Sequence, residues 1–357
     1  MSVENNDDNS LPGKGKMRGA YWWSSAILIV LIVLIVHYFP EIRKELKLLK
    51  KVNGYWLSLA ILSQLMTYFL NAMVYFFLLR NLGQERLPGI WALIRASVIS
   101  LFFDQVMPSA GISGKTYIFS FLGRFNIAAT KVITLIVAEL LTFYVTLEIL
   151  IIFLLTSTIF YDRIPYLFKG ILPAGMLAYL VIGGVIIFAG RKKFFDALYR
   201  RLGRVKFARR ILEKASRKMQ QQAGSGEVQL TAFLENNKRN VFYAFLAQLF
   251  VIVADALTIL ALFRGLGAPA SAFNVLLCFI CTKIVSTLPI SPGSLVLYES
   301  SMTFFFTSLG LPLGASVIVT LLYRLLSFWL PMPAGFILYR SWLKAKPGKR
   351  QVSHIER

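Results

Sequence analysis

Six apolar runs constrain this chain more than any other feature. Tyr21–Phe39, Tyr55–Leu79, Val132–Thr156, Ile171–Ala189, Val241–Phe263 and Gly314–Leu338 each come close to or exceed the ~20 apolar residues that cross a hydrocarbon core. With no water at that depth, each backbone polar group must pair within the protein, so such runs form helices. The fold class expected is therefore an all-α polytopic membrane protein. The chain has 357 residues, 57% of them hydrophobic and 16% charged, which leaves no room for a large soluble domain. Tyr21–Phe39 is followed by no small-x-small cleavage site and reads as an anchor.

Two more apolar stretches are interrupted. Ile90–Val106 meets M-P-S-A-G-I-S-G-K at Met107–Lys115, and Thr116–Gly123 beyond it is too short to cross. Phe273–Leu288 runs into L-P-I-S-P-G-S-L-V-L-Y-E at Leu288–Glu299, and Met302–Leu309 leaves it. Proline removes a backbone donor and ends a helix. At membrane depth the freed groups are tolerated only where they face protein or a water-filled cavity. Two re-entrant helical hairpins lining a cavity are expected; the alternative is two ordinary surface turns.

The halves of the chain also match each other. L-S-Q-L at Leu62–Leu65 parallels L-A-Q-L at Leu246–Leu249, and L-R-N-L-G ending at Gly83 parallels F-R-G-L-G ending at Gly267. Pro88 to Pro108 and Pro269 to Pro289 are both 20 positions, and A-E-L-L-T-F-Y at Ala138–Tyr144 parallels Y-R-L-L-S-F-W at Tyr323–Trp329. Repeat one is read as 55–157 and repeat two as 241–339. Charge orients them. The net charge is +22. It is concentrated in the 191–240 connector, where Lys and Arg run densely from Arg191 to Lys218, and in the 340–357 tail. Positive loops mark the cytoplasmic side, so this charge is read as membrane orientation and headgroup attraction, with no nucleic-acid partner. Residues 1–20 are read as a disordered tail. Six spans then place both termini in the cytoplasm of an inner-membrane protein, and the two hairpins enter from opposite sides. The repeats are inverted, an architecture that puts a binding site near the midplane. The basic stretch Glu41–Lys51, spaced as a surface helix, would lie outside.

Intramembrane ionisable groups are costly, about 2.5–3.5 kcal/mol each on insertion scales, and mark candidate sites. Here they are Arg95, Asp104, Glu139, Glu148, Asp255, Lys283, Glu299 and Arg324. S-A-G-I-S-G-K-T at Ser109–Thr116 falls one glycine short of a P-loop and has no strand before it. Its half-helix N–H groups and Lys115 would still suit a phosphate, or Lys115 would snorkel to an interface. The expected headgroup or pathway residues are Pro108, Ser113, Gly114, Lys115, Glu139, Asp255, Lys283, Pro289, Ser291, Pro292, Gly293, Glu299 and Arg324. Glu139 and Arg324 occupy matched repeat positions, and they are expected either to pair and lock the repeats or to leave Arg324 to a lipid phosphate. Cys278 and Cys281 read as small apolar side chains, and His37 and His354 are too far apart for a metal site. No cofactor and no catalytic residue set is expected.

L-P-I-S-P-G-x-L-x-x-x-E at Leu288–Glu299, followed by L-L-Y-R-L-L-S-F-W-L-P at Leu321–Pro331, resembles the lysylphosphatidylglycerol synthase transmembrane-region family. That family includes the flippase domain of bacterial multiple peptide resistance factors and an archaeal dolichol-phosphate glycosylation protein. The resemblance runs from the first span to the last; the chain departs from the family at Ser294 and Val296, where glycine is frequent. The resemblance implies movement of an anionic phospholipid or polyprenyl-phosphate-linked lipid between leaflets. No soluble aminoacyl-transfer domain accompanies it, so lysyl-lipid synthesis is not implied. A membrane transferase acting on a lipid-linked substrate, or a scaffold for a lipid-modifying complex, are the alternatives; a homo-oligomer or a separate lipid-modifying enzyme are the partners weighed besides the lipid.

Overall fold

The computed structural model describes residues 52–83, 87–106, 112–160, 164–189, 230–287 and 295–344. Among them the chain is helical, with no strand. The helices are α1 (Gly54–Arg80), α2 (Ile90–Val106), α3 (Ile112–Gly123), α4 (Ala129–Phe160), α5 (Tyr166–Ala189), α6 (Leu230–Asn236), α7 (Lys238–Gly265), α8 (Ala272–Ser286), α9 (Leu295–Ser308), α10 (Leu313–Arg324) and α11 (Pro331–Lys344). A π-helical turn, Leu325–Trp329, joins α10 to α11. Five helices are long and apolar enough to cross a membrane: α1, α4, α5, α7 and the continuous Leu313–Lys344. They fall on five of the six expected runs. The sixth, Tyr21–Phe39, lies outside the described residues, as do residues 1–20, Glu41–Lys51, the 191–229 part of the connector, the 345–357 part of the tail and the two break segments at 107–111 and 288–294; residues 340–344 of the expected tail continue the last helix instead.

The four helices flanking the breaks are short: 17, 12, 15 and 14 residues for α2, α3, α8 and α9. At ~1.5 Å per residue none reaches the ~30 Å of a hydrocarbon core. α2 packs on α3, and α8 on α9. The α2–α3 pair meets the last long helix at three levels. Arg124 stacks over Trp342 at 3.6 Å, Phe102 closes on Gly335, and Gln105 reaches Ser327 halfway along. The α8–α9 pair approaches from where α7 finishes: Phe306 lies edge-on to Phe263 at 4.7 Å, while Ile284 packs over Gly175 in the middle of α5.

α1 and α7, the first helices of the matched halves, form the most extensive helix pair. They run antiparallel. The Asn53 amide donates to Gly265 O (2.9 Å), Ser63 Oγ to Ala254 O (2.8 Å) and Asn236 Nδ2 to Asn81 O (3.0 Å). Buried Ala60, Ala254 and Ala261 allow this close approach. Both helices also stop alike. The matched glycines Gly83 and Gly267 have φ of +60° and +73°, left-handed values that a Cβ disfavours. Ala268 N then bonds Phe263 O and Gly267 N bonds Arg264 O, both at 3.0 Å, pairing carbonyls that the helix end would orphan.

The apolar core comes in two parts, and a polar layer lies between them. One part takes Ala72–Leu79 of α1, Val132–Ala138 of α4 and Ala244 and Ala247 of α7 with α2 and α3. The other takes Ala60, Leu147–Leu154 and Ile252–Phe263 of the same helices with α8, α9 and α10. Between them on α1 stand Ser63, Gln64 and Thr67; on α4, Glu139, Thr142 and Thr146; on α7, Gln248. All are buried. Charge at the ends is unequal. Around the first part lie Arg80, Arg124, Lys131, Lys238, Arg239, Arg340 and Lys344 against Glu235, while the other end carries Lys169 and Arg264 among the described residues.

The π turn follows from proline placement. Pro331 has no N–H for the Ser327 carbonyl, and the Leu330 amide bonds Leu325 O at 2.9 Å instead of Leu326 O. Two side chains take the released carbonyls. Tyr68 on α1 donates to Leu326 O (2.7 Å), and Gln105 at the end of α2 donates to Ser327 O (3.0 Å). The α2–α3 pair is thereby fastened beside Arg324. Gln105→Leu is expected to strand the Ser327 carbonyl and lower stability by about 1–3 kcal/mol, read as a lower melting midpoint in detergent.

Candidate functional site

The polar layer holds two groups of charge. The first stands at the start of α3. Lys115 Nζ lies 2.6 Å from Glu139 Oε2 on α4 and 3.0 Å from the Tyr75 hydroxyl on α1. The Lys115 side chain is 20% exposed and that of Glu139 12%, so Lys115 does not snorkel to an interface. The start of α3 is capped from within. Asp104 Oδ1, on α2, accepts the Gly114 amide at 2.8 Å, and Ser113 Oγ donates to Phe103 O at 2.9 Å. A Cβ on Gly114 would sit 2.5 Å from Ser100 O, so glycine is what lets α2 and α3 touch here. The half-helix amide at Gly114, expected to face a phosphate, is thus engaged by the protein's own carboxylate.

The second group lies at the π turn. Arg324 ends α10, and its Nε is 3.5 Å from Glu299 Oε1 on α9. The guanidinium lies over Tyr298 at 4.7 Å and Phe328 at 4.3 Å from the ring centroids. Arg324 is 7% exposed and Glu299 31%, so this pair is open on the carboxylate side. Tyr298 stacks on Tyr323 with an 18° interplanar angle. Asp255 of α7 accepts from Thr67 of α1 at 3.3 Å, with Tyr323 and Gln64 of α1 beside it. Lys283 on α8 is the cation that acts on Asp255, and its Nζ stands 5.0 Å from the Phe279 ring centroid.

Of the two alternatives for Glu139 and Arg324, the direct pair is not what the structure shows: each residue pairs inside its own half. The two pairs correspond to each other with the signs exchanged. From Lys115 to Glu139 is 24 positions, and from Glu299 to Arg324 is 25. The cation follows the break in the first half, and the anion follows it in the second. Geometry explains the choice, because each break brings its own short helix onto the span that follows it. Ser113, Gly114, Lys115 and Glu139 come together in the first group, and Asp255, Lys283, Glu299 and Arg324 border the second. Pro108, Pro289, Ser291, Pro292 and Gly293 lie outside the described residues. Sequence reasoning missed Tyr75, Gln64, Thr67 and Tyr323. A search for embedded charges passes over them; the only signals were the motif match that holds Gln64 and Gln248 and the one that holds Tyr323. Cys278 and Cys281 are buried in apolar core as expected, both as free thiols.

Comparison with known proteins agrees with this architecture. The family described as "Lysylphosphatidylglycerol synthase TM region" matches residues 21–335. A "UPF0104 membrane protein" of Pyrococcus horikoshii is 23% identical over 320 residues, which cover 85% of this chain and 92% of that one. With its long apolar helices, this chain is a multi-pass membrane protein.

Proposed function

The chain belongs to the lysylphosphatidylglycerol synthase TM region family, and from that premise we propose that it is a lipid flippase. It moves an anionic phospholipid or polyprenyl-phosphate-linked lipid between the leaflets of the cytoplasmic membrane. The observation that carries this reading is the two membrane-embedded, sign-exchanged ion pairs in one polar layer. Intramembrane charge is expensive and is retained where it serves a polar path. Each pair sits beside a short helix that follows a chain break, which is where such carriers hold their cargo. Lys115 and Arg324 are the groups that take the lipid phosphate; Glu139 and Glu299 hold them when it is absent. Arg324 offers a planar fork for phosphate oxygens.

The same observations support inverted repeats. α1 and α7 cross antiparallel, as helices related by an axis in the membrane plane must. The α2–α3 and α8–α9 pairs reach the middle of neighbouring spans from opposite ends, as two re-entrant hairpins would. The cation-rich end is then the cytoplasmic one, and the first hairpin opens to that side.

The test is movement of fluorescent phosphatidylglycerol in proteoliposomes, followed by a membrane-impermeant quencher. The quenched share is expected to rise from the outer-leaflet portion towards the whole pool. Equal quenching with and without protein, for this lipid and for a labelled polyprenyl phosphate lipid, rejects the reading.

A further inference from the structure

One carboxylate in the membrane has no role in the two pairs. Glu148 lies on α4 one turn beyond Tyr144. Its neighbours Val145, Ile149 and Ile152 point outwards and are about half exposed (48%, 46% and 49%). Both carboxylate oxygens of Glu148 are nevertheless buried; the Leu180 amide of α5 is the donor nearest them, and among the described residues no cation pairs with them. The other embedded acids are compensated. Each has a cation acting on it: Lys115 on Glu139 and on Asp104, Arg324 on Glu299, and Lys283 on Asp255. A carboxylate left ionised in such surroundings is far more costly than one that binds a proton.

What lies next to Glu148 gives that proton a mechanical outlet. Buried Tyr179 of α5 neighbours it, and the Tyr179 ring packs on Tyr144 at 5.6 Å. The Tyr179 hydroxyl lies 3.0 Å from Thr287 Oγ1, which itself donates to Lys283 O at 2.9 Å and closes the end of α8. One turn earlier Ile284 fits over Gly175, where a Cβ would lie 2.7 Å from Ile284 Cγ1. The Glu148 face of α4 and α5 therefore borders the point where α8 ends and the second break begins. The ionisable groups on this face are Tyr144 on α4, Tyr179 on α5 and Cys281 on α8. Lys283 of α8 and Asp255 of α7 answer each other, and the charges of α3 and α6 belong to the other half of α4.

We propose that Glu148 is a proton-binding site that couples lipid movement to a proton gradient through the Tyr179–Thr287 contact, an inference that rests on the flippase reading. In the conformation described here Glu148 carries the proton. Release requires water at the carboxylate, and therefore separation of α4 and α5 from the end of α8. A proton taken up on one side and released on the other would offset the charge of an anionic headgroup moved with it.

The experiment uses full-length protein in proteoliposomes with fluorescent phosphatidylglycerol and a pH gradient of either sign. Wild-type rates are expected to differ several-fold between the two gradients, and in Glu148→Gln that ratio falls to one. A Glu148→Gln protein as gradient-sensitive as wild type overturns the proposal. Glu148→Met gives the same reading should the glutamine protein fail to insert. A second readout does not depend on transport. The infrared carbonyl band of a neutral carboxylic acid should be present in wild type at neutral pH and missing from the variant. Absence of that difference overturns the proton site, whereas its presence without any lipid movement rejects the flippase reading alone.

Discussion

Lys115→Ala is expected to destabilise the protein by about 3–5 kcal/mol, because it leaves the Glu139 carboxylate buried without its cation. Glu139 Oε2 lies 2.6 Å from Lys115 Nζ, and among the described residues no second cation lies at that range. The Tyr75 hydroxyl would lose an incoming donor and keep its own proton, a smaller loss of about 1 kcal/mol. Thermal unfolding in detergent reads the sum as a large fall in melting midpoint. Removing both charges separates packing from function. Lys115→Met with Glu139→Leu replaces the pair by apolar groups of similar volume, a change that is often neutral or stabilising by about 1–4 kcal/mol. The double variant should therefore melt at or above the wild-type temperature and still fail to move acidic lipid. Wild-type lipid movement in that stable variant would reduce the pair to a packing device and remove Lys115 from the pathway.

The long helices were legible because lipid leaves one solution to the backbone problem, and five of the expected runs became helices. The motif match between the halves also has a structural side: Gly83 and Gly267 stop α1 and α7 by the same left-handed turn. The π turn was not. It needs Pro331 to empty the Ser327 carbonyl, Gln105 to fill it, and Tyr68 to fill Leu326 O from a helix more than 250 residues away in sequence. No local pattern connects those three.

The pairing of charges was not legible for a related reason. Matching the halves identifies residues that are equivalent, and equivalence alone left open whether Glu139 and Arg324 meet. An axis in the membrane plane brings mates together only close to the axis itself. In the proposed arrangement α1 and α7 lie together, where Ser63 bonds Ala254, whereas on α4 and α10 each charge meets the short helix of its own half. The matched motifs of the two halves instead set Lys115 against Glu299 and Glu139 against Arg324, each with the sign exchanged, a correspondence that the sequence reading left unused.

That exchange of sign separates what Arg324 and Glu299 are each expected to do. In Arg324→Lys the charge beside Glu299 is kept, so the protein should fold and insert. The ammonium cannot reproduce a planar fork held between Tyr298 and Phe328 at 4.7 and 4.3 Å. Loss of one charge-assisted hydrogen bond to phosphate is worth about 1.5–3 kcal/mol, so lipid movement should fall about ten- to hundredfold by the ~1.4 kcal/mol per decade relation. Glu299→Gln should act in the opposite sense on binding. Glu299 is 31% exposed while Arg324 is 7% exposed, so the carboxylate is the half of the pair that a headgroup meets and displaces. Without that competitor, acidic lipid should bind about tenfold more tightly to the detergent-solubilised protein, and release should become the slow step of transport. Binding is read by titration with a short-chain phosphatidylglycerol, and movement by the quenching assay. Tighter binding with slower movement in Glu299→Gln, set against weaker binding in Arg324→Lys, identifies the pair as a phosphate site guarded by its own carboxylate. Weaker binding in Glu299→Gln would mean that the carboxylate positions Arg324 instead of competing for it, and wild-type movement in Arg324→Lys would remove the guanidinium from the pathway.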